Sequence, residues 1–245
     1  MYARVNIIFG TKGKVGAGLT HLEKSDRGVV ESAAGNLGLT TLVDRKAGVV
    51  VAMSYWDDLR RSCEAVLTEA RKGAATAAGG VLVTESYEVA LAEQPAEADP
   101  GAVVQMTRVQ LEPARLDVGL AFIRDELVRH LSAGSGLCGA ELLIDREAGA
   151  GLLVTTWTDQ EATDRAQAVL DEHRSEAEQR AGATFPGSES YLLVRRSART
   201  SGDQLDRAER RTSRYDSAPG NVAPARCSAS PRCSSRTACA RSVAS

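Results

Sequence analysis

One heptapeptide in the first half of the chain returns nearly unchanged in the second, and that repetition constrains the fold more than any other feature. Leu42-Val43-Asp44-Arg45-Lys46-Ala47-Gly48 recurs as Leu143-Ile144-Asp145-Arg146-Glu147-Ala148-Gly149, a shift of 101 residues. The same shift places Gly18-Leu19 on Gly119-Leu120, Gly35 and Gly38 on Gly136 and Gly139, and Trp56 on Trp157, the two tryptophans of the chain. A two-residue insertion brings Ala65-Val66-Leu67 onto Ala168-Val169-Leu170. One more brings Glu85-Ser86-Tyr87 onto Glu189-Ser190-Tyr191. Self-similarity at a fixed spacing marks repeated structural units. The chain reads as two such units, residues 1–92 and 102–196. Residues 93–101 form a linker whose prolines and acids disfavour helix and strand.

Each unit repeats one order of elements. A β-rich start (Val5 to Phe9; Val103 to Leu111) precedes a helical stretch, in which Leu116, Leu120, Ile123, Leu127 and Leu131 make one apolar stripe. The first copy is weaker there, with Leu19, Leu22, Val30 and Ala33, and Gly28 interrupts it. Hairpins follow: Leu39 to Val43 with Val49 to Tyr55, and Ala140 to Ile144 with Leu152 to Trp157. A second helix is expected from Asp58 and from Asp159, each placed to cap it. Its apolar stripe would hold Leu59, Cys63, Val66, Ala70 and Ala74 in the first unit, and Ala162, Ala166, Val169, His173 and Ala177 in the second. A last strand closes each unit, at Val81 to Val89 and Ser190 to Val194. The order βαββαβ is ferredoxin-like, an antiparallel sheet with two helices on one face. One unit alone leaves its other sheet face bare. The second copy covers it, so the fold class expected is α+β, two ferredoxin-like repeats forming an intrachain dimeric α+β barrel with helices outside.

Composition bounds the partners. The chain carries a net charge of -2, which gives no basic field for nucleic acid. No apolar run reaches the about 20 residues of a membrane helix, and the start Met1 to Phe9 is too short and charged for a signal peptide. A cytoplasmic protein is expected. Charge is uneven, however. From Ser197 to Ser245 nine Arg face only Asp203, Asp206, Glu209 and Asp216. That Ser/Ala/Arg-rich tail has too little apolar surface to offset the entropy of ordering and is expected to be disordered. Its Cys227, Cys233 and Cys239 lack the paired spacing or nearby His of a metal site, so no metal is expected. Cys63 and Cys138 read as isolated buried thiols.

The hairpin ending in Trp before an acidic cap (Ser54-Tyr55-Trp56-Asp57-Asp58; Thr155-Thr156-Trp157-Thr158-Asp159), the final-strand Glu-Ser-Tyr and the unit length resemble the antibiotic-biosynthesis-monooxygenase family of dimeric α+β barrels. The likeness covers residues 1–195. It implies a pocket in each unit between sheet and helices, and a chain that does within itself what family members do by pairing, hence a monomer. The family includes cofactor-independent oxygenases of aromatic polyketides, haem-degrading enzymes and proteins without known activity, so fold alone does not choose.

The residues that could act are few. Trp56 and Trp157 could stack on a flat aromatic ligand or simply anchor the following helix. Tyr87 and Tyr191 could orient a ligand or pack and bond nearby. His173 lies on a helix stripe where the first copy has Ala70, which could mark one working pocket with Trp157 or a core histidine bonded to a carbonyl. His21 falls opposite its stripe, where solvent is expected, and His130 sits at a stripe edge. Haem-degrading relatives place a first-strand Asn beside the helix His and the Trp. Here Asn6 belongs to the first unit and His173 to the second, where Thr107 replaces the Asn, so haem is disfavoured and no cofactor is expected. A cofactor-independent monooxygenase needs only an apolar cavity, a stacking ring and donors for an enolate or phenolate. Asn6, Trp56 and Tyr87, or Thr107, Trp157 and His173, would supply them. The resulting function is binding of a small aromatic or polyketide-like ligand, with or without oxygenation. The alternative is a non-catalytic ligand-binding or scaffolding barrel. No GxGxxG, P-loop, GxSxG, HExxH or paired CxxC supports other chemistries.

Overall fold

The repeated heptapeptide is a turn. Asp44 Oδ1 accepts from the amides of Lys46 (2.8 Å) and Ala47 (3.0 Å), and Asp145 Oδ1 accepts from Glu147 (3.0 Å) and Ala148 (3.1 Å). Gly48 and Gly149 then take φ of +80° and +66°, and a Cβ on either would strike the carbonyl oxygen of Gly10 or Leu111. An aspartate that closes the turn and a glycine that leaves it explain why this stretch is kept twice.

The computed structural model describes residues 1–63, 65–134 and 136–197, with the Cys63 side chain outside that set. The first half runs β1 (Tyr2–Phe9), α1 (Val15–His21), α2 (Arg27–Ser32), β2 (Asn36–Asp44), β3 (Val49–Trp56), α3 (Ala65–Ala78) and β4 (Val81–Glu93). The second runs β5 (Val103–Leu111), α4 (Leu116–Phe122), α5 (Val128–Ala133), β6 (Leu137–Asp145), β7 (Ala150–Trp157), α6 (Gln160–Glu176) and β8 (Ala183–Arg196). The two halves thus follow the same order of elements. A π-helical turn joins α1 to α2 at Leu22–Asp26, and another joins α4 to α5 at Ile123–Leu127. The two turns are one shift of 101 apart.

The eight strands close into a barrel in the order β1-β3-β2-β8-β5-β7-β6-β4, with every pairing antiparallel. Each half supplies four neighbouring strands in the ferredoxin-like arrangement. The long last strands make the seams: β4 pairs with β1 through Glu88 and then with β6 from Glu88 to Glu93. β8 pairs with β5 and then, from Leu192 to Arg196, with β2. Burial of the second sheet face and closure of both edges follow from one operation. Each half packs its helices on the outer sheet face over its own apolar core, around Ile8, Val50, Trp56 and Leu67, and around Leu142, Leu153, Trp157 and Leu170.

Several boundaries differ from the sequence reading. Asp159 is the cap of α6, its Oδ1 accepting from Ala162 N at 2.8 Å. Asp58 caps no α-helix. It accepts from Arg60 N at 2.9 Å, a 3₁₀ turn follows at Arg61–Cys63, and α3 begins only at Ala65. The buried positions of α3 are Leu67, Ala74, Ala75 and Ala78, while Val66, expected on the stripe, faces solvent. Gly28 is accommodated inside α2. Residue Glu93 of the expected linker still belongs to β4. Ser197, expected to begin the tail, is fixed against Leu39 by three hydrogen bonds, its Oγ accepting from Leu39 N at 2.6 Å. The remainder of the tail, with Cys227, Cys233 and Cys239, lies outside the described residues. Cys138 is buried and unpaired in a disulfide. No helix among the described residues is long and apolar enough to cross a membrane.

Candidate functional site

Pleating sorts the candidate side chains onto two faces, because residues directly opposite one another in an antiparallel pair project to the same side. Asn6 stands opposite Ala52 and Thr84, and Thr107 opposite Leu153 and Ser188. Ala52 and Leu153 belong to the helix-side cores. Tyr87 stands opposite Ala3, and Tyr191 opposite Val104, one residue out of step with Asn6 and Thr107. The tyrosines therefore face into the barrel and cannot share a helix-side pocket with Asn6, Trp56, Thr107 or Trp157. That removes Tyr87 from the donor set expected with Asn6 and Trp56. The physical reason is the period of two along each strand.

Both tryptophans lie in the helix-side cores. Trp56 and Trp157 are fully buried, and each indole N–H donates at 2.9 Å to the hydroxyl two residues earlier, Ser54 Oγ and Thr155 Oγ1.

The helix-side space of the first half is nearly filled. It measures about 30 Å³ and is lined by Asn6, Asp26, Arg27, Ser54, Ala70 and Arg71 together with apolar neighbours. That holds water rather than a ring. Arg27, 2% exposed, closes it. Its guanidinium grips Glu23 in two bonds (2.8 and 2.9 Å), Glu31 at 2.7 Å and Thr41 Oγ1 at 2.7 Å. Burial opposes its charge, but the bonds to Glu23 and Glu31 outweigh that and raise its pKa. Beside it Asp26 is buried, with His21 Nε2 3.4 Å from one carboxylate oxygen and the other oxygen without a hydrogen-bond partner. Burial raises the Asp26 pKa, and His21 only partly opposes the rise. His21 keeps a side chain 38% exposed, as expected of it, and reaches the buried carboxylate from the solvent side. Asn6 is used locally, its Oδ1 accepting from Thr84 Oγ1 at 3.0 Å.

The second half has a larger cleft, of about 160 Å³, between α6 and strands β5 and β8. Leu170, Phe185 and Pro186 give it an apolar wall, and Thr107, Ser188, Gln167 and Arg174 a polar one. Thr107 and Ser188 hydroxyls lie 3.0 Å apart. Gln167 Oε1 accepts from Gln105 Nε2 at 3.0 Å. Arg174 donates to Asp171 at 3.1 Å and to Phe185 O at 3.2 Å. His173 is not in the lining, so it is not brought together with Thr107 there. Its ring stacks on His130 from α5, centroids 4.5 Å apart, and its Nδ1 bonds Val169 O at 2.9 Å. A half-exposed ring at residue 173 turns toward α5, one step around the helix from Leu170.

The barrel-facing side explains the repeated Glu-Ser-Tyr. Tyr87 OH donates to Glu85 at 2.9 Å, and Tyr191 OH to Glu189 at 2.8 Å. Burial and these carboxylates push both phenol pKa values up. Arg108 clamps Glu85 at 2.9 and 3.0 Å, an ion pair between halves. A second contact across the barrel joins Tyr55 OH to Glu141 at 2.6 Å. Sequence reasoning passed over Arg108, Arg27 and Asp26. The signal was available in the breaks of the repeat: Arg108 matches Ile7, Arg27 matches Val128 and Asp26 matches Leu127.

No protein-family model matches the chain. Among curated proteins, Rv2557 of Mycobacterium tuberculosis, an uncharacterized protein, is 25% identical over 167 residues, 67% of this chain and 75% of its own length. Rv2558 of the same organism, also uncharacterized, is 30% identical over 151 residues, 60% of this chain and 64% of its own length. Solved structures are more distant in sequence and similar in shape. A provisionally named monooxygenase from Fusobacterium nucleatum superposes with a TM-score of 0.61 at 14% identity, covering 80% of this chain and 94% of that one. An anthrone oxidase-like protein gives 0.60 at 15% identity, over 83% and 94%. The resemblance to the antibiotic-biosynthesis-monooxygenase family therefore holds in the fold, and this chain closes that α+β barrel within a single polypeptide.

Proposed function

We propose that the protein binds a small aromatic or polyketide-like ligand in the second-half cleft, as a monomer whose two repeats replace the two subunits of a dimeric barrel. The observation that carries this reading is the cleft itself. A volume of about 160 Å³ suits one aromatic ring, since cavities near ~150 Å³ accept benzene. Leu170, Phe185 and Pro186 offer the ring its faces, and Thr107, Ser188, Gln167 and the Arg174 cation offer a phenolate or enolate oxygen its donors. The helix-side space of the first half, about 30 Å³, is too small for any ring.

Calorimetric titration with single-ring and polycyclic phenols tests the reading. One saturable site is expected, lost in Leu170→Trp, which fills the cleft, and weakened in Arg174→Gln more for phenolates than for neutral phenols. Equal binding by wild type and Leu170→Trp overturns the placement, and silence across the panel favours the scaffolding alternative. Sedimentation of the wild type is expected to give a monomer.

Cofactor-independent oxygenation is the second reading, favoured by Arg174 at the cleft and by the shape shared with the anthrone oxidase-like structure. In it the electron-rich bound anion reacts with O₂ directly, a methylene becoming a carbonyl while the second oxygen atom leaves as water. No carboxylate or imidazole lines the cleft to take the first proton, so turnover is expected to follow the ionisation of the free phenol. Binding without O₂ uptake at a pH where the phenol is ionised rejects this reading and leaves the binding function standing.

A further inference from the structure

The histidine singled out by the repeat comparison has a partner that the proposed function does not use. His173 on α6 and His130 on α5 stack with ring centroids 4.5 Å apart and planes tilted by 41°. Each ring spends its Nδ1 in the same way, on the backbone carbonyl one turn earlier: His130 Nδ1 lies 2.7 Å from Glu126 O, and His173 Nδ1 lies 2.9 Å from Val169 O. A carbonyl can only accept, so in both neutral rings the proton sits on Nδ1 and the lone pair on Nε2. A backbone carbonyl holding the far ring nitrogen is the outer-shell arrangement that orients a metal-binding imidazole. Two imidazoles fixed in that tautomer, on two elements and in contact, each keep the Nε2 lone pair that a first-row metal ion takes.

The geometry points to His130 and His173 as a two-histidine site for a borderline divalent metal ion, Cu²⁺ most tightly and Zn²⁺ or Ni²⁺ below it. Both rings are accessible, His130 exposed and His173 half-buried, so the ion needs no opening of the fold. Among the described residues no cluster of three or more His, Cys, Asp or Glu completes the set, so water fills the remaining positions. Glu126, one turn before His130, is held by Arg180 in two bonds of 2.7 Å. It adds negative charge beside the site rather than a ligand. The first half has no counterpart, because Val29 and Ala70 occupy the matching positions.

The test uses the full chain with accessible thiols alkylated, so that cysteines do not compete. Cu²⁺ and Zn²⁺ are titrated by calorimetry, and the Cu²⁺ form is read by electron paramagnetic resonance. The wild type is expected to bind one ion with nitrogen superhyperfine splitting from two imidazoles and a raised Tm. His130→Gln and His173→Gln should each weaken binding about tenfold or more and leave one coupled nitrogen. Binding and spectra unchanged in the double variant, or no binding by the wild type, overturn the site. The site is independent of the aromatic-ligand reading, and phenol titration of the same variants reports on the cleft separately.

Discussion

The two halves share one backbone plan and bury opposite kinds of matter under it. Under the helices of the first half lie Asp26, Arg27 and Thr41, with Glu23 and Glu31 at the edge. At the matching positions the second half has Leu127, Val128 and Leu142, fully inside its apolar core, with Arg124 and Ser132 outside. Phe122 replaces His21. The π-helical turn is present in both, so the ion cluster does not cause it. The turn instead makes the cluster possible. At about 100° per residue an α-helix would carry positions 21 and 26 to well-separated faces, whereas the wider π turn brings His21 and Asp26 to within 3.4 Å. One half has used that geometry for hydrocarbon and the other for charge. In the half that buried charge Arg27 lines a space of about 30 Å³, and in the other half the matching positions are filled by core side chains while a cleft of about 160 Å³ opens farther along α6.

The largest expected break in this comparison comes from Arg27→Ala. It strips Glu23, Glu31 and Thr41 of their shared donor inside the protein, and breaking a buried network of this kind costs about 3–5 kcal/mol. Val128→Ala, the matching change, removes two methyl groups and should cost about half as much. Denaturant unfolding of both variants decides this, and equal losses would mean that the cluster is no more than packing.

Asp26→Asn should act in the opposite direction. The folded Asp26 pKa is raised, chiefly by burial. The folded state therefore binds the proton more tightly than the unfolded chain, and stability falls as pH rises from the ordinary carboxylate range through that raised value. The variant is expected to be more stable than wild type at neutral pH by about 1–3 kcal/mol, the cost of a buried group left without its partner. The gain should vanish at low pH, where wild-type Asp26 is also neutral. Thermal melts from pH 3 to 8 read the effect, and a gain independent of pH would reject the assignment.

The Trp anchors test the symmetric part of the molecule. Ser54→Ala and Thr155→Ala each leave a buried indole N–H without an acceptor, and each should cost about 1–2 kcal/mol. Similar losses are expected, because the two bonds are both 2.9 Å long. A loss confined to one half would show that the anchors are not equivalent.

How much of this was legible follows from which pattern carried it. The strands, hairpins and barrel class were readable because Asp44/Gly48, Asp145/Gly149 and the Trp pair encode local geometry twice, and a signal seen twice is hard to misread. The site was less so. Tyr87 was grouped with Asn6 and Trp56 because type was weighed without strand parity, which a count of residues along β1 and β4 settles. His173 was seen to face inward from its helix, but its contact with His130 depends on how α5 meets α6 across forty residues of chain. No local pattern holds that information. Asp26 falls on the stripe of Leu19, Leu22 and Val30, with Arg27 at its edge, so the period of 3.6 points both toward the core; what no local pattern holds is that Thr41, fourteen residues on, shares in satisfying the buried guanidinium.

The smallest effect separates the halves at a place where sequence treats them alike. Asp58 and Asp159 both follow the Trp by two residues, yet only Asp159 reaches a helix amide. Its carboxylate, held below the usual range chiefly by the Ala162 N–H, satisfies one of the donors that a helix start leaves open. Asp159→Ala should therefore cost about 1 kcal/mol, measured by denaturant unfolding at neutral pH. Asp58→Ala removes an exposed turn contact to Arg60, three positions before the 3₁₀ turn begins, and should cost less than about 0.5 kcal/mol. The difference measures what the late start of α3 has given up. A cap side chain reaches the amides two or three residues on, and in the first half α3 begins at Ala65, too far from Asp58.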